Sequence, residues 1–172
     1  MEKPSASDEQ QSDEIVAVPP DAAPAPPAPP GAHRSERLIS RLHASIQARA
    51  RDLLQLAANE GIALVVTQGL RTFAEQQALY DQGRTKPGPI VTNALPGSSW
   101  HNFGLAFDVA ELVGEKYHYP LSPAWWTHVG ELGKSLGLEW GGDFHTFVDR
   151  PHFEYHPGLT LHDARAGRLP VA

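Results

Sequence analysis

An acidic, proline-rich segment at the N-terminus limits how much of this chain can form a folded core. Residues 1–31 contain 8 of the 16 prolines, and six acidic residues against one lysine give the segment a net charge of −5. Clustered prolines favour an extended polyproline II conformation, and such a composition cannot bury enough apolar surface to fold. We therefore expect residues 1–33 to be a disordered tail and residues 34–172 to form one domain.

Charge and composition exclude several classes of protein. The whole chain has a net charge of −6, so the predicted domain is nearly neutral and lacks the basic surface of nucleic-acid-binding proteins. The sequence has neither the ~20-residue apolar run of a transmembrane helix nor a recognisable signal peptide. We expect a soluble monomer made in the cytoplasm. Cysteine is absent, so a metal site would have to use histidine and carboxylate ligands.

Hydrophobic periodicity predicts helices separated by short strands. Apolar residues at helical spacing predict one helix over 35–59, and a β-branched run predicts a strand over 62–67. Thr72 and Glu75 have the spacing of a capping box, which predicts a helix that ends before Gly83. This arrangement places Arg71 in a strand-to-helix turn.

The second half of the chain continues the same pattern. Residues 84–99 are rich in proline and glycine and predict a long loop, which in a compact domain is often functional. Strands are predicted over 104–110 and 152–155, and helices over 122–136, with Ser122 as the cap, and over 160–166. The fold class is α+β, with a small antiparallel sheet and helices packed to one side.

A histidine and an aspartate close together in sequence indicate half of a metal site. In the predicted strand 104–110, Asp108 shares a face with two alanines, because side chains alternate along a strand. A carboxylate in such surroundings requires a compensating partner. His101 precedes the strand by a short turn at Gly104, and its ring could fold back beside Asp108.

The segment Asp149-Arg-Pro-His-Phe-Glu154 supplies candidates for the other half. His152 and Glu154 would share one face of a strand, and His152 could complete a set of two histidines and one aspartate. Such a set with an open fourth position is typical of catalytic zinc. Asp149 could act on the bound water as a general base, although an aspartate here could also be a simple turn residue.

These motifs resemble those of the M15 family of zinc peptidases. Residues 99–108, Ser-Trp-His-Asn-Phe-Gly-Leu-Ala-Phe-Asp, match the signature S-x-H-x-x-G-x-A-x-D, and residues 149–152 match the family's second signature. Residues 68–84 and 138–144 are similar to the L-alanyl-D-glutamate endopeptidases found among phage endolysins and bacterial autolysins. The resemblance implies the fold shared by D-Ala-D-Ala carboxypeptidases and hedgehog-like domains.

The resemblance also implies roles for individual residues. Zn²⁺ would be bound by His101, Asp108 and His152, and Asp149 would be the catalytic base. Arg71 would hold the substrate and stabilise negative charge, and Ser99 would lie beside the bound peptide. A simpler alternative is that Arg71 only pairs with Glu75 of the following helix.

The expected substrate is the peptidoglycan stem peptide, which would be cut at the L-Ala–D-Glu bond. The enzyme would act at the bacterial cell wall and would reach it by an export route such as a holin. Two alternatives remain open at this point. One is a D,D-carboxypeptidase or dipeptidase with the same site. The other is a non-catalytic, zinc-stabilised wall-binding module.

Overall fold

A computed structural model describes residues 31–171, which form a mixed α and β domain. The predicted tail, residues 1–33, therefore lies almost entirely outside the described residues, although its last two residues, Ala32 and His33, belong to the first helix. None of the described helices is both long and apolar enough to cross a membrane. The helices are α1 Ala32–Ile39, α2 Ala44–Asn59, α3 Phe73–Asp81, α4 Pro123–Ser135 and α5 Leu161–Arg165. The strands are β1 Leu64–Gln68, β2 Ala106–Val113, β3 Lys116–His118, β4 Glu139–Trp140 and β5 His152–Glu154.

All strand pairs in the five-stranded sheet are antiparallel. The strand order is β1-β2-β5-β4, and β3 pairs with the far end of β2. Helix α1 packs along β1, where the buried hydroxyl of Ser35 accepts a hydrogen bond of 3.0 Å from the backbone N–H of Val66. The predicted α+β class with an antiparallel sheet is confirmed.

The main core lies between one face of the sheet and helices α2 and α4. Phe107, Val109 and Phe153 extend from the sheet into it and are fully buried. The rings of Phe107 and Phe153 stack with centroids 5.8 Å apart, and burying one such side chain stabilises the fold by about 1.5–3 kcal/mol. This packing leaves the opposite face of β2 and β5 free to present polar side chains.

The prediction of one helix over 35–59 is wrong, because the chain breaks between α1 and α2. His43 is extended and caps α2 by accepting a hydrogen bond from Ser45 N–H, and its own N–H donates to the carbonyl of Gly104 at 2.9 Å. Gly104 has a φ of 68°, and a Cβ there would lie 2.9 Å from the His43 nitrogen. The helix is therefore interrupted at the point where His43 contacts the Gly104 turn, although the apolar periodicity of the sequence continues from α1 into α2.

Other boundaries moved by a few residues. The strand predicted over 104–110 begins at Ala106, and Leu105 packs in a smaller cluster with Trp100 and α5 instead of in the main core. The strand predicted over 62–67 runs from Leu64 to Gln68. The short strands β3 and β4 were not predicted. The capping box at Thr72 and the Ser122 cap of α4 are both present as predicted.

Candidate active site

The side chains of His101, Asp108 and His152 converge on one point. Asp108 Oδ1 lies 3.2 Å from His101 Nε2 and 3.1 Å from His152 Nδ1, and the two ring nitrogens are 3.2 Å apart. Ligands 2.0–2.1 Å from a tetrahedral zinc ion are separated by about 3.3 Å. The triangle therefore has the size and the donor atoms for one zinc ion.

Strand register brings two of these side chains together. Asp108 of β2 is the direct antiparallel partner of His152 of β5, and paired residues on one face have Cβ atoms about 4.5–5.5 Å apart. His101 comes from a short 3-10 helix, Trp100–Phe103, which ends at the left-handed Gly104. The backbone N–H of Arg71 donates to the His101 carbonyl at 3.0 Å, which ties this helix to the turn after β1.

Each histidine uses its other ring nitrogen in a hydrogen bond. His101 Nδ1 donates to the carbonyl of Gly69 at 2.9 Å, and His152 Nε2 donates to Glu154 Oε2 at 2.8 Å. With these nitrogens occupied, His101 Nε2 and His152 Nδ1 face Asp108, and a metal ion bound between the three side chains would take the place of the protons on these two nitrogens. Partners of this kind orient histidine ligands in known metal sites.

The carboxylates of the site have shifted pKa values. Burial acts to raise the pKa of Asp108, but the charge of His101 and hydrogen bonds from both histidines hold it well below its ordinary value. Burial also opposes ionisation of Glu154, yet the hydrogen bonds from His152 and His156 lower its pKa to about 2. Both groups are therefore anionic at neutral pH and can balance the charge of a cation.

Asp149 lines the same cleft but has the opposite shift. Burial and the negative charge of Asp108 raise its pKa above the ordinary value. Its turn is fixed by Gly141, whose carbonyl accepts a hydrogen bond of 2.9 Å from Asp149 N–H. A Cβ on Gly141 would lie 2.4 Å from the Asp149 carbonyl oxygen, so any larger residue there would have to displace this turn. Sequence reasoning assigned Gly141 simply to a turn.

Arg71 enters the cleft from the turn between β1 and α3. It does not pair with Glu75, whose carboxylate accepts hydrogen bonds from Thr72 in the capping box. Its guanidinium donates instead to the side-chain oxygens of Gln68 and, at 3.0 Å, Gln76. Burial lowers the pKa of Arg71, but arginine stays charged in proteins and remains a cation facing the site.

Gln76 is a functional candidate that sequence reasoning missed. It is fully buried, and its amide nitrogen donates to the carbonyl of Ala94 at 2.8 Å while its oxygen accepts from Arg71. It thereby joins the arginine to the long loop 84–99. Its place in the segment 68–84, which resembles the endopeptidases, could have drawn attention to it, although a helical glutamine is usually exposed.

The loop 84–99 forms one wall of the cleft. Arg84, at the start of the loop, stabilises its far part by donating to the carbonyl of Thr92 at 3.0 Å and to Asn93 Oδ1 at 2.8 Å. Ser99 lies where this loop meets the metal site and lines the cleft together with Asn93 and Arg71. The cleft has a volume of about 550 Å³, within the range of sites for small molecules and peptides.

Comparison with known proteins identifies the family. A family model described as D-alanyl-D-alanine carboxypeptidase matches residues 92–155, which include the three converging side chains and Asp149. The chain is 44% identical over 130 residues to the peptidoglycan L-alanyl-D-glutamate endopeptidase CwlK of Bacillus subtilis. The aligned region covers 69% of this chain and 75% of that protein. The chain belongs to the M15 family of metallopeptidases.

Solved structures agree with the M15 fold. The L-Ala D-Glu endopeptidase ChiX of Serratia marcescens superposes with a TM-score of 0.54 at 23% identity, covering 76% of this chain and 90% of that one. The D,D-pentapeptidase VanY, solved with Zn(II), gives a TM-score of 0.52 at 20% identity, covering 73% of this chain and 76% of that one. The predictions of an M15 peptidase and a hydrolase are confirmed.

Proposed function

We propose that this M15 peptidase is a zinc-dependent peptidoglycan endopeptidase that hydrolyses the L-Ala–D-Glu bond of the stem peptide. The observation that carries the proposal is the convergence of two histidines and one aspartate beside Asp149 and Arg71 in a single cleft. The choice of bond is supported by the 44% identity to an enzyme of that specificity.

His101, Asp108 and His152 would hold the ion. Three protein ligands leave a fourth tetrahedral position open, as in catalytic rather than structural zinc sites. Zinc bound there supplies Lewis acidity, which polarises a carbonyl and acidifies a water molecule. This arrangement disfavours the wall-binding module, in which four protein ligands would be expected to enclose the ion.

Asp149 would accept the proton of the attacking water and deliver it to the departing amine. Its raised pKa suits a group that must both take up and release a proton. Arg71 would stabilise the negative charge that develops on the carbonyl oxygen or bind a substrate carboxylate, and Gln68 and Gln76 hold it in place. Ser99 would contact the peptide backbone along the cleft.

The test is digestion of purified peptidoglycan followed by mass spectrometry. The proposal predicts fragments with a new N-terminal D-Glu, whereas free D-Ala would assign the chain to the D,D-carboxypeptidases. Asp149→Ala should bind zinc like the parent protein but lose hydrolysis. If neither protein hydrolyses peptidoglycan and both bind it, the wall-binding module is correct.

We further propose that the chain works as a monomer at the bacterial cell wall. Peptidoglycan is a solid polymer, and one cleft per chain suffices for the proposed reaction. Light scattering of the purified protein measures its mass, and a stable dimer would contradict this part of the proposal.

A further inference from the structure

A second layer of contacts lies behind the candidate metal ligand His152. Glu154 binds His152 through Oε2, and its other oxygen, Oε1, lies 2.9 Å from Nε2 of His156. His156 Nδ1 in turn lies 3.2 Å from the carbonyl of Leu159. A continuous chain of hydrogen bonds thus runs from His152 through Glu154 and His156 to the backbone.

The chemistry of the partners fixes the protons on His156. A carboxylate and a backbone carbonyl can only accept hydrogen bonds, so both ring nitrogens of His156 must donate. His156 is therefore an imidazolium that holds Glu154 by a charge-assisted hydrogen bond, a stronger contact than one between neutral groups. The Glu154 carboxylate cannot rotate away from His152 without breaking this bond.

An aromatic stack fixes His156 in turn. Its ring lies parallel to the indole of Trp100, with centroids 4.0 Å apart and planes inclined by 9°. Trp100 immediately precedes His101 in the short 3-10 helix. The stack therefore joins the segment that carries His101 to the segment that carries His152, independently of any bound metal.

We propose that His156 is a positioning residue for the metal site, acting through Glu154 on the orientation of the His152 ring. This inference rests on the proposed zinc site. Substitution of partners beyond the direct ligands typically lowers metal affinity by about 10–100-fold. Because His156 is one step further from the ion than Glu154, we expect about a tenfold loss, at the low end of that range.

Two substitutions of His156 separate positioning from simple stability. In His156→Gln the amide nitrogen can occupy the position of Nε2, so the hydrogen bond to Glu154 can be kept. In His156→Asn the amide reaches only as far as Nδ1, so that bond is lost. Both variants remove the ring and its stack on Trp100, so their effects on packing should be similar.

The measurements are zinc affinity, by competition with a chromophoric chelator, and the visible spectrum of the cobalt-substituted protein, which reports ligand geometry. His156→Asn should bind zinc about tenfold more weakly than the parent and show an altered cobalt spectrum, whereas His156→Gln should recover most of both. Glu139→Gln is a control for charge near His156, because Glu139 is exposed and its carboxylate lies 3.4 Å from His156 Nε2 but makes no hydrogen bond to Glu154 or His152 among the described residues. It should leave both readouts unchanged.

Equal zinc affinity in the Asn and Gln variants would overturn the inference, whether both match the parent or both are weakened alike. Should His156→Asn fail to fold, His156→Gln still tests it, because loss of zinc affinity in a folded Gln variant contradicts the argument. Failure of the parent protein to bind zinc would contradict the proposed function instead.

Discussion

Replacing Gly141 with alanine should displace Asp149 and lower activity while the domain still folds. The new Cβ would lie 2.4 Å from the Asp149 carbonyl oxygen and 3.0 Å from His152 Cβ. Ordinary contacts begin near 3.4 Å, and contacts below 3.0 Å essentially do not occur. The turn that carries Asp149 must therefore move by about 0.6–1.0 Å, since both closest atoms belong to backbone or to Cβ rather than to a flexible side-chain end.

A displacement of about 1 Å in a catalytic group can lower the rate about 100-fold, which corresponds to about 2.7 kcal/mol in the activation barrier. Overpacking of this kind costs about 1–3 kcal/mol of folding stability, so a folded variant is expected. The assay is the initial rate of release of new amino termini from purified peptidoglycan, at zinc concentrations that saturate the parent and the variant.

Gly114→Ala is the matched control for a loss of stability alone. Gly114 has a φ of 62°, and nothing lies within 4 Å of an added Cβ, so alanine there costs about 1–2 kcal/mol through left-handed strain. It lies in the turn between β2 and β3 and should retain full activity. Near-parental activity of Gly141→Ala, or an equal loss in Gly114→Ala, would refute the reasoning.

Three further predictions concern the same site. Glu154→Gln should weaken zinc binding about 10–100-fold, because the amide is a poorer acceptor for His152 Nε2–H. Titration with a competing chelator measures the affinity, and an unchanged value would show that Glu154 does not support the metal site. Gln76→Leu removes the donor to the Ala94 carbonyl and leaves Arg71 with Gln68 as its remaining side-chain partner, at about 1–3 kcal/mol for a buried group that loses its hydrogen bond. It should lower both the melting temperature and kcat/KM, and a normal kcat/KM would show that Arg71 needs no support from Gln76. Removal of metal by a chelator should abolish hydrolysis and lower the free energy of unfolding by about 2.7 kcal/mol, compared with the protein in the presence of zinc at 100 times its Kd. Activity that survives dialysis against the chelator would contradict a metallopeptidase mechanism.

The sequence was sufficient to predict the residues that meet at the centre of the cleft. His101, Asp108 and His152 lie in short motifs, and alternation along a strand places Asp108 and His152 on the polar face of the sheet. The register that makes them direct partners could not be predicted, because it depends on how β2 and β5 align in three dimensions. The local caps at Thr72 and Ser122 were predictable, since each depends only on neighbouring residues.

Features that depend on distant contacts could not be predicted. The break between α1 and α2 coincides with the approach of His43 to Gly104, 61 positions later in the chain, and no local pattern marks it. Strands β3 and β4 have three and two residues, too few to show a period. The contacts of Gln76 and His156 are tertiary, and a glutamine is commonly exposed whereas a histidine is of intermediate burial, so residue type alone marks neither.

The loop 84–99 is attached to the rest of the molecule by a few side chains, among them those of Gln76, Asn102 and Arg165. None of its residues belongs to the sheet or supplies a candidate metal ligand. Apart from Ala94, which supports Gln76, and Ser99, this part of the cleft can therefore change in sequence without removing a group assigned to the catalytic site. Such a separation would let one hydrolytic scaffold diversify toward cell walls of different composition, and it identifies residues 85–91 as the segment to randomise when a different specificity is sought.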